Sequence, residues 1–225
     1  MNASLPRYLT LGLAIVVSHA SRSALAEQAG PGPTISLRAY NKASIPNKTL
    51  IRTQKNVTAI LARVGVSVIW VEPSSPWEET AFDSTLCIVI LGQSAGQRIE
   101  HSKTAMGSTP IGDTPGHVAY IFYDRIQDVT RSFTTSATEM PDNAETLAHA
   151  IVHEIGHLML PFDAHSPAGI MRASWDLDDF KRMTTGHLCF TVQQAELIRT
   201  EVLRRAHTRI LVSVFTEAVR SASIR

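Results

Sequence analysis

The run DNAETLAHAIVHEIGHLMLP, residues 142–161, constrains this chain more than any other stretch. Asp142 followed three residues later by Glu145 matches a capping box, in which each side chain satisfies a free backbone N–H at a helix start. Leu147, Ile151, Ile155 and Leu158 recur at helical spacing and form one apolar face, which a helix buries against a sheet. Pro161 disfavours helical geometry at the residue before it, so the pattern predicts a helix from about Asn143 to Leu160. On that helix His153 and His157 stand one turn apart on the same side, and both imidazoles can reach one ion.

Zinc accepts neutral imidazole nitrogens at ~2.0–2.1 Å, and a catalytic zinc takes three protein ligands with water in the fourth position. Glu154, adjacent to the first histidine, is placed to take that water's proton and hand it to a leaving amine. Random placement of this chain's histidines and glutamates would produce H-E-x-x-H only about 0.02 times, which makes chance a weak competitor. The plainer alternative is a helix whose histidines are ordinary core or surface residues. It is disfavoured because the motif sits on a capped helix, the context it requires.

From His153 to Met171 the sequence HEIGHLMLPFDAHSPAGIM resembles the metzincin superfamily of zinc endopeptidases. Their pattern is H-E-x-x-H-x-x-G-x-x-H/D, followed by a tight turn with a methionine beneath the metal. HEIGH matches at His153, Glu154 and His157, and AGIM, residues 168–171, looks like the methionine turn. Leu160 replaces the glycine, and the pattern's spacing puts Asp163 in the third-ligand position, as in the snapalysin-like branch. His165, followed by Ser166 much as in matrix metalloproteinases, is the preferred third ligand. Imidazole is the commoner zinc ligand, and Pro161 with the missing glycine implies a longer turn. Asp163 is kept as the alternative. The resemblance implies that Met171 forms a hydrophobic floor under the zinc without coordinating it, although a core methionine filling space would be buried too.

The resemblance also implies an α/β (α+β) fold: a twisted mixed sheet of four to five strands, an active-site helix and a C-terminal helix. Sequence similarity proper is confined to about residues 150–172, but the order of elements agrees with it. TISLRAY (34–40) alternates as a half-buried strand, and a helix opens at Pro46 and Asn47, with Leu50, Val57, Leu61 and Val64 on one face, and ends at Gly65. VSVIWVE (66–72) and STLCIVIL (84–91) read as buried strands, and HVAYIFYD (117–124) as a further one. Residues 92–116 read as a loop with a short edge strand around Thr104 to Ser108, and a polar loop follows to Pro141. Thr191 with Gln194 is a second capping box, opening a helix whose Ala195, Ile198, Val202 and Ala206 face inward. The tail ILVSVF (210–215) suits either an extension of that helix or a strand.

Arg7, the apolar stretch Tyr8 to Val17 and Ala24-Leu25-Ala26 read as an export signal over residues 1–26, cleaved before Glu27. A flexible linker at 27–33 and a single catalytic domain at 34–225 complete the expected organisation. The protein is then secreted or periplasmic, with no stable membrane insertion after cleavage. A formal charge of +1 and no basic stripe interleaved with aromatics exclude nucleic acid as the natural partner. Arg199, Arg204, Arg205 and Arg209 read as the solvated face of the last helix. Cys87 and Cys189 could pair in an exported protein or remain free. His149 reads as a partly exposed histidine or a partner behind the metal ligands. Trp175 with Asp176, Asp178 and Asp179 reads as a solvated loop or a cleft border. His101 and His117 have no motif around them.

These residues predict an exported zinc endopeptidase with Glu154 as general base, acting on a peptide or protein extended along the edge strand. Two other classes remain: a zinc hydrolase of a non-protein amide, such as a cell-wall amide, and a non-catalytic binding module braced by zinc. Glu154 argues against the second, because a structural site uses four protein ligands and needs no base.

Overall fold

Strand β1 (Thr34–Asn41) pairs in parallel with β2 (Ser67–Trp70) on one side and with β3 (Leu86–Leu91), the central strand of the sheet, on the other. β3 pairs in parallel with β5 (Val118–Phe122), and the two-residue β4 (Gly107–Ser108) closes the edge antiparallel to β5. The sheet order is therefore β2-β1-β3-β5-β4, mostly parallel with one antiparallel edge. The computed structural model describes residues 32–73, 85–92, 105–110, 116–133, 140–161 and 164–222. The proposed export signal, most of the linker, His101, Thr104 and Asp163 lie outside these residues.

Period-two alternation sets which face is covered. Ile35, Leu37, Leu86, Ile88, Ile90, Ala119 and Ile121 are buried on one face, while Cys87, Val89 and Tyr120, on the alternate positions, are half-buried. Helices α1 (Asn47–Arg63) and α3 (Asn143–Met159) pack against each other, and Leu147, Ile151 and Ile155 of α3 join the same core as the buried strand residues. Full burial of each such side chain contributes about 1.5–3 kcal/mol, which fixes the helix more firmly than its intrinsic propensity does. Asp142 caps α3 by accepting from the backbone N–H of Ala144 and Glu145 at 3.0 and 3.1 Å.

Two helices correct the reading of the sequence. The segment after β5 is not a polar loop, because β5 runs straight into α2 (Tyr123–Phe133), with Tyr123 and Ile126 buried. The acidic group at 176–179 is not a solvated loop either. Asp176 caps α4 (Leu177–Thr184) in a complete capping box with Asp179, and Phe180 and Met183 anchor the helix in the core. The last helix, α5 (Val192–Ala222), absorbs the apolar tail as helix. Thr191 and Gln194 form its capping box, and Ala195, Ile198 and Val202 are buried.

The basic residues of α5 also differ from a uniformly solvated face. The Arg205 side chain is only 9% exposed, ion-paired to Glu201 and donating to the Leu158 carbonyl at 2.6 Å. Arg199 donates to the Val64 carbonyl at the end of α1, and Arg204 stays on the surface, paired to Glu201. Cys87 and Cys189 are not joined by a disulfide. Among the described residues no helix is long and apolar enough to cross a membrane.

Candidate metal centre

His153 and His157 project from the C-terminal half of α3 into an open cleft of about 1300 Å³ between β4 and the loop after α3. Their Nε2 atoms lie 3.1 Å apart. Two ligands of a tetrahedral ion at ~2.0–2.1 Å would stand about 3.3 Å apart, so the pair is already at coordinating separation. The chain then leaves the helix at Leu160, whose extended backbone begins the reversal, and returns His165 to the same point. One ligand nitrogen from each of His153, His157 and His165 lies within 4.8 Å of the others.

The return is held by hydrogen bonds from distant elements. Gln194, which accepts from the Thr191 N–H in the α5 cap, also donates to the Ala164 carbonyl at 3.3 Å and so anchors the residue before His165. Ser166 N–H donates to the Met171 carbonyl, and Ile170 N–H to that of Cys189, both at 2.9 Å. Gly169 adopts a φ of +80°, and a Cβ there would stand 2.5 Å from the Cys189 oxygen, so the turn requires glycine twice over.

Met171 is fully buried against α3 at Gly156. Its sulfur packs where Gly156 has no Cβ, so the glycine one residue before His157 is what lets the turn approach the helix. From the same turn the Ile170 carbonyl accepts the Nδ1–H of His153 at 2.7 Å and the indole N–H of Trp175 at 3.1 Å. A backbone carbonyl can only accept, so His153 carries its proton on Nδ1 and presents an Nε2 lone pair to the cleft. Trp175 stands edge-on to His153, with centroids 5.7 Å apart, which makes it a cleft wall. Burial, opposed by the bond to Ile170, holds His153 down at a pKa of about 4; burial and the neighbouring His153 hold His157 at about 4. Both rings are neutral at pH 7, the form that binds a metal. Three imidazole donors converging on one point, with an open cleft on the remaining side, fit a zinc ion with an exchangeable position.

Glu154 is 5% exposed and faces β4. The Thr109 hydroxyl donates to its Oε2 at 2.8 Å, and a Cβ on Gly107 would fall 2.5 Å from its Oε1. Neither contact has a signature in the sequence, because the partners are 45 residues or more away and belong to no motif.

Other sequence candidates take different places. His149 is 3% exposed rather than partly exposed, and its Nδ1–H donates to the Glu145 carbonyl of its own helix at 2.9 Å. It does not join the histidine cluster. His117 is exposed before β5 and is not in the cluster either. Arg172 bridges Asp176 at 2.6 Å and the buried Asp179, which ties the loop after the methionine turn to α4. No model of a known protein family matches this chain, and no curated protein is significantly similar to it.

Proposed function

We propose that this chain is an exported zinc-dependent endopeptidase of metzincin type. The observation that carries the reading is the convergence of His153, His157 and His165 in a cleft whose wall holds Glu154. A bound zinc would polarise the scissile carbonyl and lower the pKa of its water toward ~7. Glu154 removes the proton of the attacking water and delivers it to the departing amine. The edge strand β4, which has one sheet neighbour, pairs with the backbone of an extended substrate and sets its carbonyl over the histidines. That strand favours a peptide over a compact non-protein amide, since its recognition groups are backbone N–H and C=O. Met171 and the Ile170 carbonyl keep His153 in register, and Trp175 screens one side of it from water.

The test measures bound zinc and cleavage of a diverse fluorogenic peptide library by wild type and Glu154→Ala. One zinc per chain in both proteins, with cleavage reduced by at least ~100-fold in the variant, is the expected result. A wild type that holds zinc but cleaves no peptide rejects the endopeptidase in favour of another amide substrate or a binding module.

A further inference from the structure

We infer that Thr109 is a positioning residue for the general base, a role that rests on the peptidase reading above. Thr109 directly follows β4, and among the described residues its hydroxyl has two acceptors, both oxygens of Glu154. The carboxylate Oε2 at 2.8 Å is favoured over the backbone carbonyl at 3.4 Å. The direction of that hydroxyl is fixed locally. Pro110 confines Thr109 to extended backbone, and β-branching leaves its χ1 few choices. On the other side Gly107 closes on the same carboxylate so tightly that even a methyl would overlap it.

The strand that receives the substrate is thus also the clamp on the base. Glu154 has a flexible stem and a last torsion that is broad, and the hydrogen bond from Thr109 narrows it. Holding it costs entropy once, on folding, rather than at each turnover. The contact supplies orientation to the proton transfer and nothing to substrate affinity, so its loss falls on kcat and not on KM.

The experiment compares wild type, Thr109→Val and Thr109→Ser on the library peptide that wild type cleaves fastest. Thr109→Val keeps the shape and removes the hydroxyl; it should bind one zinc per chain, keep KM within about twofold and lose ~10- to 100-fold in kcat. Thr109→Ser should restore most of that loss. A second readout needs no turnover: Thr109→Val should lower the melting temperature by ~2–4 °C in wild type and by much less in Glu154→Ala, where the hydroxyl has no carboxylate to hold. Equal kcat in Thr109→Val and wild type overturns the inference, as does loss of zinc in the valine variant or an equal melting shift in both backgrounds. A wild type inert toward every peptide overturns the peptidase reading itself, and with it the kinetic role of Thr109. An active wild type matched by an equally active valine variant removes only Thr109.

Discussion

His149 and His153 stand one helical turn apart on α3, the first buried and the second half-buried, both held at a pKa of about 4 chiefly by loss of contact with water, and both donating Nδ1–H to a backbone carbonyl. They differ in whose carbonyl it is. His149 bonds back to Glu145 of its own helix, and its Nε2 lies buried with no hydrogen-bond partner among the described residues. His153 bonds to Ile170, seventeen residues on, and its Nε2 faces His157 at 3.1 Å. Low basicity is therefore a property of depth, shared by both rings, whereas the geometry that could hold a metal ion belongs to the ring that a returning chain has tied in place. The comparison is a caution against reading a site from perturbed protonation alone.

The largest effect should separate the two rings directly. On the proposed function His153→Ala removes a zinc ligand and should weaken zinc binding by more than ~100-fold, beyond the 10- to 100-fold typical of residues that only support ligands. His149→Leu should leave zinc affinity within about twofold, because an apolar side chain suits the buried site and His149 is not one of the clustered histidines. Competition against a chromogenic chelator reads both. Equal losses would mean that the buried His149 is coupled to the metal after all, and the distinction between depth and convergence would collapse.

That contrast also marks what the sequence could and could not reveal. α3, its Asp142 cap, the pair His153 and His157 and the turn at 168–171 are legible because each is written in residues at most about ten apart, and helical periodicity places the histidines on one face. The position of His165 required the chain reversal, which depends on Gln194 and Cys189 reaching across from the start of α5. α2 was hidden because a strand feeds it without a cap, although Tyr123, Ile126, Val129 and Phe133 repeat at helical spacing. α4 was hidden because its capping box uses Asp179 where Glu or Gln is the usual signal, so three aspartates read as a solvated cluster. Gly107, Thr109 and Arg205 carry no local signature; their roles exist only in the packed structure.

A pH titration sharpens the comparison from the other side. The unfolded chain takes up a proton at each histidine below about pH 6.5, whereas His149 in the folded protein resists protonation until about pH 4. The unfolded state therefore binds more protons in that window, and stability rises with pH across it. Lowering the pH from 7 to 4 should remove on the order of 3 kcal/mol through His149 alone. Denaturant unfolding in the presence of a chelator should show this loss in wild type and a shallower one in His149→Leu. Identical pH slopes would mean that His149 is not held neutral by its surroundings.

The smallest expected effect isolates the methionine from the turn that carries it. The bond that fixes His153 comes from the Ile170 backbone carbonyl, so exchanging the next side chain leaves the acceptor in place. Met171→Leu conserves apolar volume in a fully buried site and should cost less than about 1.5 kcal/mol, mainly because the branched side chain fills less well the space left by the missing Cβ of Gly156. Zinc affinity should stay within about threefold of wild type and cleavage should persist. A loss of zinc as severe as in His153→Ala would transfer the role from the carbonyl to the sulfur. The feature that distinguishes His153 from His149 would then be what lies beneath the ring and not what its Nδ1–H meets.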